Sequence, residues 1–206
     1  MKLAVFDFDS TLMDGETIDI LARHYGVGAE VDAITKGAME GGLDFYESLK
    51  RRVALLKGMK HSLVEEICGN LPLMPGAQEL ISELKRRGVK VVVFSGGFKN
   101  ATSKAREKLG FDADFSNILH HKEGVLSGEV GGEMMFGFSK GEMLQTLQSL
   151  LGITPADTMA VGDGANDASM FAHASKRVAF CAKPILQAQA NVVITRKDLR
   201  EILPHL

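Results

Sequence analysis

Short apolar runs alternate with amphipathic segments over most of the chain. The runs are rich in valine and mostly lack an alternating polar position, which is typical of strands in a parallel sheet that is covered on both faces. Five such runs predict strands, over residues 3–6, 89–95, 158–162, 177–181 and 191–195.

The segments between these runs repeat apolar residues at helical spacing. They predict helices over residues 76–88, 100–109 and 139–151, each ending at or just before a glycine, a common residue at helix C-termini. The third helix begins with Ser139 and Glu142, which have the spacing of a capping box. Alternating strands and helices indicate a doubly wound α/β core, in which ligands bind beyond the carboxyl ends of the strands.

Residues 15–72 interrupt this alternation, because apolar residues recur there at helical spacing in three successive stretches without an intervening strand. We therefore predict two domains: an α/β core formed by residues 1–14 and 73–206, and a small helical cap over residues 15–72. Residues 116–135 are punctuated by glycines and predict a β-hairpin.

The composition argues against several classes of function. The 206 residues include 24 Lys and Arg against 26 Asp and Glu, a formal charge of -2, so the basic surplus of nucleic-acid-binding domains is missing. No segment approaches the ~20 apolar residues of a membrane span, and the apolar stretch at the N-terminus is too short for a signal peptide. We therefore expect a cytoplasmic protein with no nucleic-acid or membrane partner, either a monomer or a homodimer.

Two acidic residues, Asp7 and Asp9, lie at the end of the first predicted strand. Residues two apart in an extended chain point to the same side, so both carboxylates should meet beyond the strand. One carboxylate can attack phosphorus, while the other can protonate the leaving oxygen and later deprotonate water. An isolated pair of this kind is a weak signal, because an acidic turn after a strand gives the same pattern.

Two further strand ends carry groups that suit a phosphate and a cation. Ser95–Gly97 offers a hydroxyl and open backbone N–H groups before a helix, which can form a phosphate cradle or simply a tight turn. Asp163 and Asp167 follow another strand, and crowded carboxylates repel one another unless a hard cation such as Mg²⁺ lies among them. Lys140 can supply a fixed positive charge for phosphoryl transfer, or it can be a solvated surface lysine.

These three loops, in this order, resemble those of the haloacid dehalogenase superfamily of phosphatases. The resemblance covers essentially the whole chain, through DFDSTL, ITKGAMEG, SLKRRVALLKG, SGGF, SKGE, VGDGANDASM and AFCAKPIL. Because two of these segments lie in the insert, the chain looks in particular like the superfamily members that hydrolyse O-phospho-L-serine to L-serine and phosphate. The resemblance implies a Rossmann-like core, a helical cap that selects the substrate, Mg²⁺ as cofactor and a place at the last step of serine synthesis.

The resemblance also implies roles for the core residues. Asp7 would be the nucleophile that becomes an aspartyl phosphate, and Asp9 would be the general acid and base. Mg²⁺ would be held by the Asp7 carboxylate, the Asp9 backbone carbonyl and the Asp163 side chain, with Asp167 nearby. The phosphoryl oxygens would be held by Ser95, Gly96 and Lys140, with Asn166 close to them.

Within the insert, Phe45 and Arg52 are seven residues apart and share one face of a predicted helix. Arginine is the side chain best shaped to fork onto a carboxylate, although an arginine in a basic run is more often solvated. The resemblance implies that Arg52 meets the substrate carboxylate and Glu16 its ammonium group, with Met39 and Phe45 as apolar walls.

Two other hypotheses remain open beside phosphoserine hydrolysis. The same aspartate chemistry would serve a phosphotransferase, or a phosphatase that acts on another small phosphomonoester. A catalytically silent module that senses a phosphometabolite is a third hypothesis, which the presence of Asp7, Asp9, Asp163 and Lys140 disfavours because a silent relative would tolerate the loss of one of them.

Overall fold

The computed structural model describes residues 1–39 and 42–206, except for the side chain of Met39. In this part of the chain, seven strands form one sheet in the order β4-β3-β2-β1-β5-β6-β7. The strands are β1 (Leu3–Asp7), β2 (Lys90–Phe98), β3 (Ala113–Lys122), β4 (Val125–Gly132), β5 (Thr158–Gly162), β6 (Lys176–Phe180) and β7 (Val192–Ile194).

Nine α-helices connect or flank these strands in the described residues. They are α1 (Thr17–Tyr25), α2 (Gly28–Met39), α3 (Phe45–Ala54), α4 (His61–Gly69), α5 (Ala77–Arg86), α6 (Lys99–Leu109), α7 (Ser139–Leu151), α8 (Ala168–Phe171) and α9 (Pro184–Gln187). No helix in the described ranges is both long enough and apolar enough to span a membrane.

The sheet is parallel except for β4, which pairs antiparallel with β3. Successive residues of β1 point to opposite faces: Ala4 and Phe6 pack into one apolar cluster, Leu3 and Val5 into another. Helices α5 and α6 contribute to the first cluster and α7 and α8 to the second. Both faces of the sheet are therefore covered, which explains the non-alternating apolar runs and confirms the predicted doubly wound α/β fold.

The parallel register brings three strand ends to one edge of the sheet. Asp7 at the end of β1 pairs with Phe94 in β2, directly before Ser95, while Phe6 pairs with Val161 near the end of β5. The acidic loop after β1, the Ser-Gly-Gly segment of β2 and the acidic loop after β5 consequently meet at the carboxyl edge of the sheet.

The predicted hairpin is present as β3 and β4, joined by the two-residue turn Glu123–Gly124. Strand β4 also contacts the helical insert, because the Leu126 carbonyl accepts from Gly58 N–H at 2.9 Å and Leu126 N–H donates to the Met59 carbonyl at 2.8 Å. The hairpin thus ties the loop between α3 and α4 to the sheet.

In the insert, α1, α3 and α4 coincide with the three predicted helical stretches. Helix α2 was not predicted from the sequence, because its Gly, Ala and Thr residues give little apolar periodicity; of its described side chains only Val31 is buried. Apolar side chains of the insert, such as Leu21 and Val53, belong to the same continuous cluster as Phe6 of β1. The division of the chain into a core domain and a cap over residues 15–72 stays a prediction.

The predicted capping box at Ser139 and Glu142 is wrong. The N-cap position of α7 is Phe138, and Ser139 is already the first helical residue. The Ser139 hydroxyl accepts from Phe136 N–H at 3.2 Å, so it stabilises the loop before the helix rather than a free N–H within it. The sequence spacing was misleading because the helix begins one residue earlier than the pattern implies.

A buried asparagine, Asn117 in β3, holds together the Ser-Gly-Gly segment of β2 and the segment that follows β4. Its amide group donates to the Gly96 carbonyl at 3.0 Å and to the Met134 carbonyl at 3.1 Å, and its carbonyl accepts from Met134 N–H at 3.0 Å. Asn117 is fully buried, so water cannot replace these bonds if the side chain is removed.

We expect Asn117→Ala to lower the free energy of unfolding by about 2–4 kcal/mol, because three backbone groups would lose a buried partner. Asn191→Ala is the matched control: Asn191 also bonds backbone groups of Ser175 and Arg177, but it is exposed, so the loss should be about 1 kcal/mol or less. Urea denaturation measures both values. Equal losses for the two variants would contradict this role of Asn117.

Candidate active site

A buried lysine joins two of the acidic loops at the carboxyl edge of the sheet. Lys140 Nζ lies 2.6 Å from Asp7 Oδ1 and 2.6 Å from Asp167 Oδ1, and only 3% of the lysine surface is exposed. Burial and the neighbouring Asp167 hold the pKa of Asp7 well above its usual range. Burial alone would lower the pKa of Lys140, but Asp167 and Asp7 outweigh it and raise the pKa, so the lysine stays charged.

The loop after β5 carries two aspartates, Asp163 and Asp167, whose carboxylates differ in their hydrogen bonds. Asp167 Oδ2 accepts from Asp163 N–H and Gly164 N–H, both at 2.9 Å, while its Oδ1 accepts from Lys140. The carboxylate of Asp163 lines the cavity instead, and burial together with Asp167 raises its pKa to about 6. Of the two aspartates, Asp163 is therefore the one whose carboxylate is more available to bind a cation.

One carboxylate oxygen each of Asp7, Asp163 and Asp167 lie within 4.8 Å of one another. A set of hard oxygen ligands at this spacing suits a small divalent cation, and a cation there would relieve the repulsion that raises the pKa of Asp7 and Asp163. The residues present thus fit a cation site.

Asp9 and the Ser-Gly-Gly segment form the second part of the site floor. Ser95 Oγ donates to Asp9 Oδ2 at 3.1 Å and accepts from Gly97 N–H at 2.9 Å. A Cβ on Gly97 would lie 2.5 Å from Asp9 Oδ2, and a Cβ on Gly96 would lie 2.7 Å from Cζ of Phe45. A side chain at either position would therefore displace a neighbour, the Asp9 carboxylate in one case and the Phe45 ring of the insert in the other.

A cavity of about 530 Å³ separates this floor from the helical insert. It is lined by most of the residues that the sequence singled out: Asp7, Asp9, Glu16, Phe45, Arg52, Gly96, Asp163 and Asn166. Ser95, Lys140 and Asp167 lie beneath this lining and are bonded to it, as described above. The side chain of Met39 lies outside the described residues. The structure therefore brings the other eleven predicted residues together, and their individual roles remain predictions.

The insert side of the cavity carries charges of both signs. Ser10 donates to Glu16 Oε1 at 2.7 Å, and burial together with Asp9 raises the pKa of Glu16 to about 7. Arg52 donates through Nε to the Ser48 carbonyl at 3.3 Å, and burial lowers the pKa of its guanidinium. A carboxylate and a guanidinium on one wall suit a ligand that bears both an ammonium and a carboxylate group.

Three residues near the cavity were missed in the sequence analysis. Asp19 lines the cavity one helical turn after Glu16, a spacing that could have identified it. Lys183 also lines it, just beyond the end of β6, where the rule that sites lie at the carboxyl ends of strands would have found it. Thr17 bonds the Asp9 carboxylate.

Comparison with known proteins identifies the class. The family model for haloacid dehalogenase-like hydrolases matches residues 1–175. The chain therefore belongs to the haloacid dehalogenase-like hydrolases.

Individual relatives are similar over the full length. The phosphoserine phosphatase of Wolinella succinogenes is 83% identical over 206 residues, which cover 100% of both chains. Two solved structures superpose with a TM-score of 0.94 at 51% identity, covering 100% of this chain and 98% of the other. One is described as a phospho-aspartyl intermediate analogue of phosphoserine phosphatase and the other as a substrate-bound phosphoserine phosphatase complex.

We expect Mg²⁺ to raise the melting temperature more at pH 8 than at pH 5. Carboxyl groups with raised pKa hold protons in the metal-free protein at low pH, and they must release those protons before they can bind a cation. At a Mg²⁺ concentration about ten times Kd, the stabilisation at pH 8 is about 1.4 kcal/mol, or about 3–6 °C, and it should disappear toward pH 5.

Thermal unfolding with and without Mg²⁺ at each pH measures this difference. Asp163→Asn should abolish the shift, whereas Asp157→Asn, at the opposite end of β5, should retain it. A shift that does not depend on pH, or one that survives in Asp163→Asn, would argue against the cation site.

Proposed function

We propose that this protein is a Mg²⁺-dependent phosphoserine phosphatase that hydrolyses O-phospho-L-serine to L-serine and phosphate, as the last step of serine synthesis. The observation that carries the proposal is that one cavity has Asp7 and Asp9 on its floor and the oppositely charged Glu16 and Arg52 on its insert wall. The similarity to phosphoserine phosphatases over the full chain supports the same assignment.

In the first step we assign the attack on phosphorus to the Asp7 carboxylate. Its Oδ1 accepts from Lys140 Nζ at 2.6 Å and from Phe8 N–H at 2.7 Å, so the carboxylate is held in one orientation at the cavity floor. A new bond forms between Asp7 and phosphorus while the bond from phosphorus to the serine oxygen breaks. Asp9 gives its proton to that oxygen, and L-serine leaves as the neutral alcohol.

In the second step Asp9, now a carboxylate, takes a proton from water as the water oxygen attacks phosphorus. The bond from Asp7 to phosphorus breaks, which releases inorganic phosphate and regenerates the Asp7 carboxylate and the protonated Asp9. We assign the holding of the phosphoryl oxygens in both steps to Ser95, the Gly96 backbone and Lys140, with Asn166 close to them. Gly96 and Asn166 line the cavity, and Ser95 is bonded to Asp9.

The residues that would hold Mg²⁺ are Asp7 and Asp163 through their carboxylates and Asp9 through its backbone carbonyl. When bound, the cation supplies positive charge that lets a phosphate dianion approach the acidic floor. Asp167 stays outside this ligand set because both of its oxygens already accept hydrogen bonds from Lys140 and the loop backbone. Its function is to hold Lys140 and the Asp163 loop.

The insert wall selects the amino-acid part of the substrate. Glu16 would accept from the ammonium group, and Arg52 would fork onto the carboxylate. Phe45 packs directly against Gly96, so it forms an apolar wall. It closes the space between the insert and residues Ser95–Gly97, which we call the phosphate loop. Met39 is proposed as a second apolar wall.

The specificity claim rests on Arg52, and we expect Arg52→Ala to lower kcat/KM for phosphoserine by about 30-fold to several thousand-fold. Removing one partner of a buried charge pair costs about 2–5 kcal/mol, because the substrate carboxylate would be left without a partner. Phosphoethanolamine has no carboxylate, so its kcat/KM should change little. Steady-state kinetics with both compounds measures the contrast.

Arg51→Ala is the matched control, since Arg51 lies on the same helix but pairs with Glu47 at 2.9 Å. It should leave both substrates unaffected. Equal losses on phosphoserine and phosphoethanolamine in Arg52→Ala would show that Arg52 holds the insert or the phosphate rather than the carboxylate. That result would remove the main physical support for phosphoserine as the substrate.

A further inference from the structure

The two oxygens of the Asp9 carboxylate have different partners. Oδ1 accepts twice from Thr17, from its backbone N–H at 2.7 Å and from its hydroxyl at 2.5 Å. Oδ2 instead accepts from Ser95 Oγ at 3.1 Å, at the phosphate loop. Thr17 is buried, with 1% of its surface exposed, and it is the first residue of α1.

These contacts decide which oxygen of Asp9 can carry a proton. The N–H and the hydroxyl of Thr17 both donate to Oδ1, and as long as the hydroxyl donates, the two hydrogens occupy both in-plane lone pairs of that carboxyl oxygen. That N–H belongs to the backbone and cannot rotate away. The proton of the neutral acid therefore resides on Oδ2, which faces the phosphate loop.

We propose that Thr17 is a positioning residue for the reaction: its N–H and hydroxyl fix Oδ1 of Asp9, so that Oδ2 exchanges protons with the substrate oxygen and with water. This inference rests on the proposed function. Thr17 itself gives up no proton, because Oδ2 loses one to the departing serine oxygen in the first step and regains one from water in the second. Thr17 acts on the reaction only through Asp9.

The position of Thr17 gives this contact a second consequence. Thr17 follows Glu16, the proposed ligand of the substrate ammonium, and both lie at the start of the first helix of the insert. Asp9 belongs to the segment that follows β1. The placement of the acid on the sheet side therefore depends on the first turn of the insert, so a shift of α1 would release the acid.

The dependence of the rate on the leaving group tests this role. A serine alkoxide is a poor leaving group and needs the proton of Asp9, whereas the nitrophenolate of 4-nitrophenyl phosphate leaves without one. The parameter kcat/KM reports the steps up to the first irreversible one, here the transfer of the phosphoryl group to Asp7. Any defect in the acid thus appears in kcat/KM for the alkyl ester and not for the aryl ester.

We expect Thr17→Val to lower kcat/KM for phosphoserine by about 10- to 100-fold. General acids contribute about 10²–10⁴-fold to a rate, and only a part of that contribution should be lost because the backbone N–H of residue 17 still binds Asp9. The value for 4-nitrophenyl phosphate should stay within about twofold of the native enzyme. Thr17→Ala should repeat this pattern, and Thr17→Ser, which restores the hydroxyl, should recover most of the activity on phosphoserine.

Thr102→Val is the matched control. The Thr102 hydroxyl also donates to a buried aspartate, Asp114, with a distance of 2.6 Å between the oxygens, but this pair does not line the cavity. It should affect stability without any dependence on the leaving group. Equal losses on both esters in Thr17→Val and Thr17→Ala, or no recovery in Thr17→Ser, would overturn the inference.

Failure of the proposed function would look different. If the native enzyme hydrolysed 4-nitrophenyl phosphate but not phosphoserine, the substrate assignment would be wrong. The ratio of rates on phosphoethanolamine, another alkyl ester, and 4-nitrophenyl phosphate would then test Thr17 in the same way.

Discussion

The site depends on one interaction, the contact of the buried Lys140 with Asp7 and Asp167 at 2.6 Å each. Several acidic groups converge where three strands end, and burying them together is unfavourable unless positive charge lies among them. Lys140 supplies the permanent part of that charge, and its partner Asp167 fixes the loop that carries Asp163. Without Lys140, the floor would hold two or more mutually repelling carboxylates in a buried setting.

The remaining repulsion explains why the floor is suited to phosphate chemistry. Burial and neighbouring acids raise the pKa of Asp7 and Asp163, because Lys140 alone does not balance the carboxylates of the metal-free site. A divalent cation bound there would remove that imbalance and let an anionic phosphate approach the floor. In the proposed function the insert would add a separate selection, because its charged side chains Glu16 and Arg52 would bind groups of the substrate remote from phosphorus. Thr17 connects the two parts by holding the acid of the floor from the first helix of the insert.

Much of the fold could be predicted because its signals are local. Buried parallel strands leave uninterrupted apolar runs, and the ends of those runs place Asp7, Ser95 and Asp163 at one edge without any knowledge of the tertiary structure. Helix α2 was not predicted because its apolar residues do not recur at helical spacing. The N-cap of α7 was misassigned because the Ser139 hydroxyl bonds the preceding Phe136 N–H. These errors concern helix boundaries and weak periodicity, where local patterns carry the least information.

The partners of individual side chains were the part that the sequence could not provide. Lys140 could have been a solvated surface lysine, and its burial between two carboxylates depends on how α7 packs against the loop after β5. The contact of Thr17 with Asp9 likewise depends on where the insert places its first turn. The resemblance to a known family supplied roles for the site residues, whereas the structure supplied the contacts from which those roles can be argued and tested.

The measurement that tests the central claim most directly is mass spectrometry of the native enzyme quenched in acid during turnover of phosphoserine. The account predicts one phosphoryl group on the peptide that contains Asp7, labile at neutral pH as expected for an acyl phosphate, and none in Asp7→Asn. Phosphate on Ser10, on Ser95 or on a histidine would contradict the assignment of Asp7 as the nucleophile.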